Sequence, residues 1–151
     1  MKTYRKIIIC LIFFIVAGFL YWTISPFFIK TIVHENLPKT SIHATIAQGN
    51  FTGFDAIHNG TGTVSIYEID GKKILRFEEG FNVNNGPDLY VGFGKSGNYI
   101  KGSEISKLKG TVGSQNYELP QNFNLEQFDS VFVWCKAFSV PFIKAELKLS
   151  N

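Results

Sequence analysis

Few residues in this chain are suited to covalent, redox or metal chemistry, and Cys135 is foremost among them. The other cysteine, Cys10, lies inside an apolar run, so no disulfide can form within the remainder of the chain. A lone thiol of this kind has two readings. It is a redox thiol or an axial haem ligand, since thiolate and imidazole both bind haem iron, or it is a small buried hydrophobe. Val131, Val133 and Ala137 share its side of a strand, and an apolar setting keeps a thiol unreactive unless a cation lies near. Lys136 is adjacent in sequence but points the other way. The histidines are His34, His43 and His58. Cys135, His43 and His58 supply at most three ligands without a spacing signature, short of the four a structural zinc site takes.

Other chemistry is missing from the sequence. It has no G-x-S-x-G elbow, no H-E-x-x-H, no phosphate-binding glycine loop and no C-x-x-C. Asp88, in Gly86-Pro87-Asp88, reads as a turn residue without an acidic partner for acid–base work. An enzyme with independent turnover is therefore the least supported class. Asn50-Phe51-Thr52 and Asn59-Gly60-Thr61 match glycosylation sequons, which matter only in a eukaryotic secretory pathway.

Two kinds of element must position these residues. Ile7 to Ile24 is a run of apolar and small residues, and no charge appears between Lys6 and Lys30. As a helix, residues 7–29 would extend roughly 34 Å, enough to cross about 30 Å of hydrocarbon and contact membrane lipid. Tyr21 and Trp22 fall near its outer end, where amphipathic rings favour the interface. The net charge of +3 is carried by Lys2, Arg5 and Lys6, and the remaining basic residues equal the 12 acidic ones in number. The positive-inside rule then predicts a single-pass protein of the cell membrane, N-terminus cytoplasmic and C-terminal domain extracytoplasmic. A formally neutral domain has no basic stripe for phosphates, which argues against nucleic acid as a partner. The cleavable-signal alternative fits less well. Its only small-residue site is Thr23-Ile24-Ser25, with Pro26 directly after, so the segment reads as an uncleaved signal anchor.

Beyond a connector at 30–42, broken by Pro38, the pattern is period two with glycine turns. Thr63–Ile69 alternates, Asp70-Gly71 signals a two-residue hairpin, and Lys72–Phe77 returns. Leu89, Val91 and Phe93 follow the Asn84–Pro87 turn, and Gly110 and Gly113 are expected to punctuate a hairpin leading to Tyr117 and Leu119. Asn124–Phe128 suits one helical turn. Val131–Phe138 is apolar on both sides, with Val131, Val133, Cys135 and Ala137 opposite Phe132, Trp134 and Phe138, as in a covered central strand. Ile143, Ala145, Leu147 and Leu149 face inward opposite Lys144, Glu146 and Lys148. Short strands without a long helix after residue 30 predict an all-β fold, an antiparallel sandwich or barrel, over residues 43–151, preceded by a transmembrane helix within 1–29.

Several stretches, taken together, resemble a known family. They are Gly49-Asn50-Phe51 through His58-Asn59-Gly60-Thr61-Gly62-Thr63-Val64, Asn85-Gly86-Pro87-Asp88-Leu89, Leu108-Lys109-Gly110, Gln115-Asn116-Tyr117, Leu119-Pro120, Ser130 through Val140 and Ala145-Glu146-Leu147. Over about residues 46 to 149 they resemble the DM-thirteen domain, the electron-transfer domain of Skeletor-type cell-surface proteins often found beside DOMON domains. The resemblance implies an extracytoplasmic β-sandwich. Its hallmark cysteine, matched here by Cys135, would work in redox chemistry as a bare thiol or by holding a prosthetic group such as haem. His58 matches the family's histidine and would be the second ligand. Phe128 replaces a usual tyrosine and Ile143 a frequent glycine, and the chain has no DOMON partner, so a redox partner protein is expected. The reading from another class is a non-catalytic cell-surface binding or adhesion module in which Cys135 is core packing.

Overall fold

The computed structural model describes residues 2–25, 29–38 and 44–150, so His43 lies outside the described residues. Helix α1 spans Lys2–Ile24, and at 23 residues it is roughly 34 Å long. It is apolar on every side, and none of Tyr4–Trp22 is buried against the domain. A helix without a polar face normally hides in a core or in lipid. α1 is long and apolar enough to span a membrane.

The strands are β1 (Ala44–Gly53), β2 (Gly60–Thr61), β3 (Thr63–Ile69), β4 (Lys72–Phe77), β5 (Asn82–Val83), β6 (Leu89–Lys95), β7 (Asn98–Tyr99), β8 (Ser106–Lys107), β9 (Gln115–Glu118), β10 (Ser130–Cys135), β11 (Val140–Glu146) and β12 (Lys148–Leu149). The main sheet runs β7-β6-β10-β11-β1-β3-β4-β9, with antiparallel neighbours throughout. β1 joins its two halves. Residues from Ala44 to Asn50 pair with β3, whereas Phe51 to Gly53 pair with β11. The sheet curls at that handover and buries one shared core, with Val64, Ile66, Leu75 and Phe77 from one half and Val91, Phe93, Val131 and Val133 from the other. The expected antiparallel all-β architecture is thus a sandwich made from one curled sheet.

Several local readings hold, and three need correction. Asp70 and Gly71 both take positive φ, 50° and 75°, as a twisted two-residue hairpin requires. Leu125–Gln127 forms the single helical turn, with the Asn124 side chain accepting from the Glu126 amide. β10, however, stops at Cys135, and Lys136–Ser139 form the hairpin turn, with Ser139 at φ 54°. Ala137 and Phe138 therefore lie off both strand faces. In β11 the register slips between Val133↔Ile143 and Trp134↔Pro141, leaving Phe142 as the extra residue of a bulge. Phe142 and Ile143 are consequently both buried, and the inward face expected from Ile143 to Leu149 does not run its full length, since Leu149 on β12 is 69% exposed. Finally, Gly110 and Gly113 do not sit in a hairpin. β8 pairs with β6 and β9 with β4, so the segment between them crosses from one half of the sheet to the other.

That crossing is covered by residues 29–36, which run along it as a strap. The Val33 amide donates to Val112 O at 2.9 Å, Glu35 N to Ser114 O at 2.9 Å, and Thr111 N to Thr31 O at 2.8 Å. Glu35 is the hub. Its carboxylate takes Lys109 Nζ at 2.8 and 2.9 Å and the Asn116 amide at 2.7 Å, while its carbonyl accepts from Arg76 Nη1 at 2.9 Å. Partial burial pushes the Glu35 carboxyl up, but Lys109 and the Asn116 amide outweigh it and hold it below its ordinary 4.5. A carboxylate lowered on folding stabilises above its unfolded value and loses that contribution as pH falls through the folded one. Protection factors of the Val33 and Glu35 amides are therefore expected to decline as pH falls below 4.5 while β10 amides hold. Constant protection of the strap through that range would remove Glu35 from this role.

Candidate functional site

Cys135 closes β10, in register with Leu89 of β6 and Val140 of β11. Those two flanking strands and the alternation of β10 turn its side chain into the core beside Val133, and it is 0% exposed. The thiol makes no disulfide. The four-residue turn Lys136–Ser139 follows it directly, tied down by the Lys136 amide donating to Asp88 O at 2.9 Å. The sequence placed Cys135 on the correct face. Its complete burial depends on β6 and β11 closing on both sides.

His58 stands in the loop after β1. Its Nδ1 is 2.7 Å from Asp55 Oδ2, and the same carboxylate, through Oδ1, accepts from the Ile57 and His58 amides at 2.7 and 2.6 Å. These hydrogen bonds, the His58 side chain's first, hold the Asp55 carboxyl down at about 2. The His58 ring packs edge-on against Phe142 at 4.8 Å. The tips of Phe142 and Leu89 both crowd Gly86, where a Cβ would meet Phe142 Cζ at 2.7 Å and Leu89 Cδ2 at 2.8 Å. Phe142 and Leu89 thus link the two candidates in space, His58 touching the first and Cys135 registered with the second. No hydrogen bond joins His58 to Cys135.

As arranged, the pair does not fit haem. A porphyrin needs an open slot reaching the ligating sulfur, but Cys135 is 0% exposed within packed core residues. The nearby cleft of about 330 Å³ is lined by Ile29, Asn85, Gly86, Leu89 and Lys107–Thr111, not by Cys135 or His58. Among the described residues no three His, Cys, Asp or Glu side chains stand close enough to hold a metal ion.

The outer side of the same strands carries a second cluster, partly missed by sequence reasoning. Trp134 stacks face to face on Tyr99 at 4.1 Å and 4°. Tyr99 also packs edge-on against Phe132 at 5.7 Å, and Phe54 lies over Phe132 at 6.4 Å. Gly92 makes room, since a Cβ there would meet the Tyr99 ring at 2.9 Å. Lys136 Nζ sits 5.0 Å from the centre of the Tyr90 ring. Alternation assigns Phe132 and Trp134 to this side. Tyr99 arrives on the short strand β7, which only pairing with β6 brings over them.

No curated protein and no solved structure matches the chain. A family model described as Electron transfer DM13 matches residues 51–147, the whole sheet from the end of β1 nearly to β12 and both candidate residues with it. With well over half of its length matched, the chain belongs to the Electron transfer DM13 family.

Proposed function

We propose that the chain is a membrane-anchored, extracytoplasmic electron-transfer domain whose redox group is the bare thiol of Cys135. The observation that carries this reading is position: the unpaired thiol of an electron-transfer family ends its strand at the residue before a four-residue surface turn. α1 would be the anchor, oriented by Lys2, Arg5 and Lys6, with N-terminus cytoplasmic. A lone thiol cannot store two electrons as an internal disulfide, so the chemistry needs a partner protein bearing a disulfide. In the step proposed, Cys135 gives up its proton and its thiolate attacks one sulfur of that disulfide. A mixed S–S bond forms, the partner's S–S bond breaks, and the released sulfur leaves as a thiolate that takes up the proton. Attack by the thiol of an electron-donor protein on the partner's sulfur of the mixed disulfide then releases the Cys135 thiolate, which takes up the proton that thiol gave up, and leaves donor and partner joined by a new disulfide. Each exchange requires the 136–139 turn to lift, because the sulfur is enclosed at rest.

The 0% exposure of Cys135 favours a second reading, a cell-surface binding or adhesion module in which the sulfur only packs. Alkylation kinetics separate the two. Under the redox reading Cys135 reacts through local opening, so its rate in dilute urea is nearly independent of denaturant. Under the packing reading it reacts only on global unfolding, and the rate climbs with the full denaturant dependence of the domain. A denaturant-independent rate, with formation of a mixed disulfide with oxidised glutathione that Cys135→Ser abolishes, is the expected result. A rate that tracks global unfolding would leave Cys135 as packing.

A further inference from the structure

The end of the domain that holds Cys135 is also the end from which α1 departs, and hydrogen bonds between loops establish this. The Ile29 amide donates to Ser25 O at 3.1 Å, which holds Ile29 beside the end of α1. The Ile29 carbonyl in turn accepts from Asn85 Nδ2 at 2.8 Å. Asn84 Nδ2 reaches across to the Ile57 carbonyl at 2.8 Å, and Asp88 O takes the Lys136 amide at 2.9 Å. Three loops, 54–59, 84–88 and 136–139, therefore form one surface at the helix exit. Strand directions agree, because β1 and β10 end at this pole whereas the Asp70-Gly71 and Ser96-Gly97 turns lie at the other.

This pole carries large apolar side chains that remain open to solvent: Ile29 61%, Ile57 71%, Phe138 66% and Phe54 46% exposed. The carboxylates of the same loops are paired internally. Asp55 is turned onto His58 and the loop's own amides, which leaves Ile57 outermost, and Lys107 pairs with Asp88 at 3.4 Å. We infer that Ile57 and Phe138 enter the interfacial layer of the bilayer that α1 spans, so the domain lies on the membrane with its Cys135 pole down. The occupant is lipid, because Tyr21 and Trp22 put the membrane interface at the end of α1 and only the span to Ile29 separates that end from this pole. The inference rests on α1 being a membrane anchor. Its consequence is that the turn after Cys135 opens at the lipid surface, and a partner must reach the thiol from the membrane plane.

The test uses the full chain in phosphatidylcholine–phosphatidylglycerol vesicles containing nitroxide-labelled lipid. A Cys10→Ser background receives one fluorescent label at Ile57→Cys, Phe138→Cys, Tyr21→Cys or Lys72→Cys, with the background itself as the check on Cys135 labelling. Residue 72 begins the strand after the far-pole turn. Labels at 57 and 138 are expected to be quenched at least about threefold more than at 72, as for groups seated in the headgroup layer. If the label at 21 is quenched while 57 and 138 match 72, the anchor stands and the docked pole is overturned. If none is quenched, the anchor reading fails and the inference fails with it.

Discussion

Gly113→Val is expected to detach the strap at residues 29–36, lowering protection of the Val33 and Glu35 amides on the order of 100-fold. Gly113 has φ +92°, a conformation that costs an L-residue about 1–2 kcal/mol and a β-branched one more. A Cβ there would also overlap the Val33 carbonyl oxygen, a backbone atom that cannot rotate away. The two hydrogen bonds at risk flank the site, Val33 N to Val112 O and Glu35 N to Ser114 O. Together the strain and the overlap amount to roughly 3 kcal/mol against the docked strap, which is the stated fold-change at 1.4 kcal/mol per decade. Hydrogen exchange followed by mass spectrometry or NMR reads it directly. Unchanged protection at Val33 and Glu35 would mean that the strap is held without this close approach. A freed strap lengthens the leash between α1 and the sheet, so lipid quenching at positions 57 and 138 should fall in the same variant.

Phe77→Ala is expected to remove about 3–5 kcal/mol of domain stability, the range for emptying a buried aromatic site. Phe77 is 0% exposed and touches three rings: Phe51 at 4.9 Å, Phe81 at 4.6 Å and Tyr117 at 5.4 Å. Phe51 sits at the β1 handover between the halves of the sheet, so the cavity would open where the curl is held together. Domains of this size are stable by only about 5–15 kcal/mol, and the loss would be a large share. The urea midpoint of the full chain in micelles should drop by about 2 M, taking an ordinary denaturant slope for a domain this size. A drop below about 0.5 M would show that the neighbouring rings collapse into the space. Phe77 lies on β4, in the other half of the sheet from β10, so the variant also asks whether the thiol opens with the whole domain or through its own turn.

Much of the fold could be read from local pattern, because alternation and turn chemistry act over a few residues. Thr63–Phe77 is the clearest case, where two alternating runs flank an Asp-Gly pair whose backbone preference matches the twist of a hairpin. Apart from the local turn that ends β10, the departures arose where distant segments decide. The β11 bulge exists because β10 and β1 both fix that strand, and Phe142 is buried against His58 and Gly86 as a result. The 110–114 crossing resembles a hairpin in sequence, since glycines suit either, and only its pairing with residues 31–35 shows a strap. Tyr99 joins Trp134 through strand pairing that its own neighbours do not announce.

Sequence alone determined that α1 is an apolar span behind three basic residues, that the rest is antiparallel β, and that Cys135 lacks a disulfide partner. Those properties follow from composition and from periodicity along one segment. Tertiary structure alone decided that Cys135 is enclosed at Leu89 and Val140, that His58 is held by Asp55 and Phe142 without bonding to it, and that the thiol lies at the pole where the helix leaves. Burial and proximity depend on which strands close over a residue. Those strands come from far along the chain.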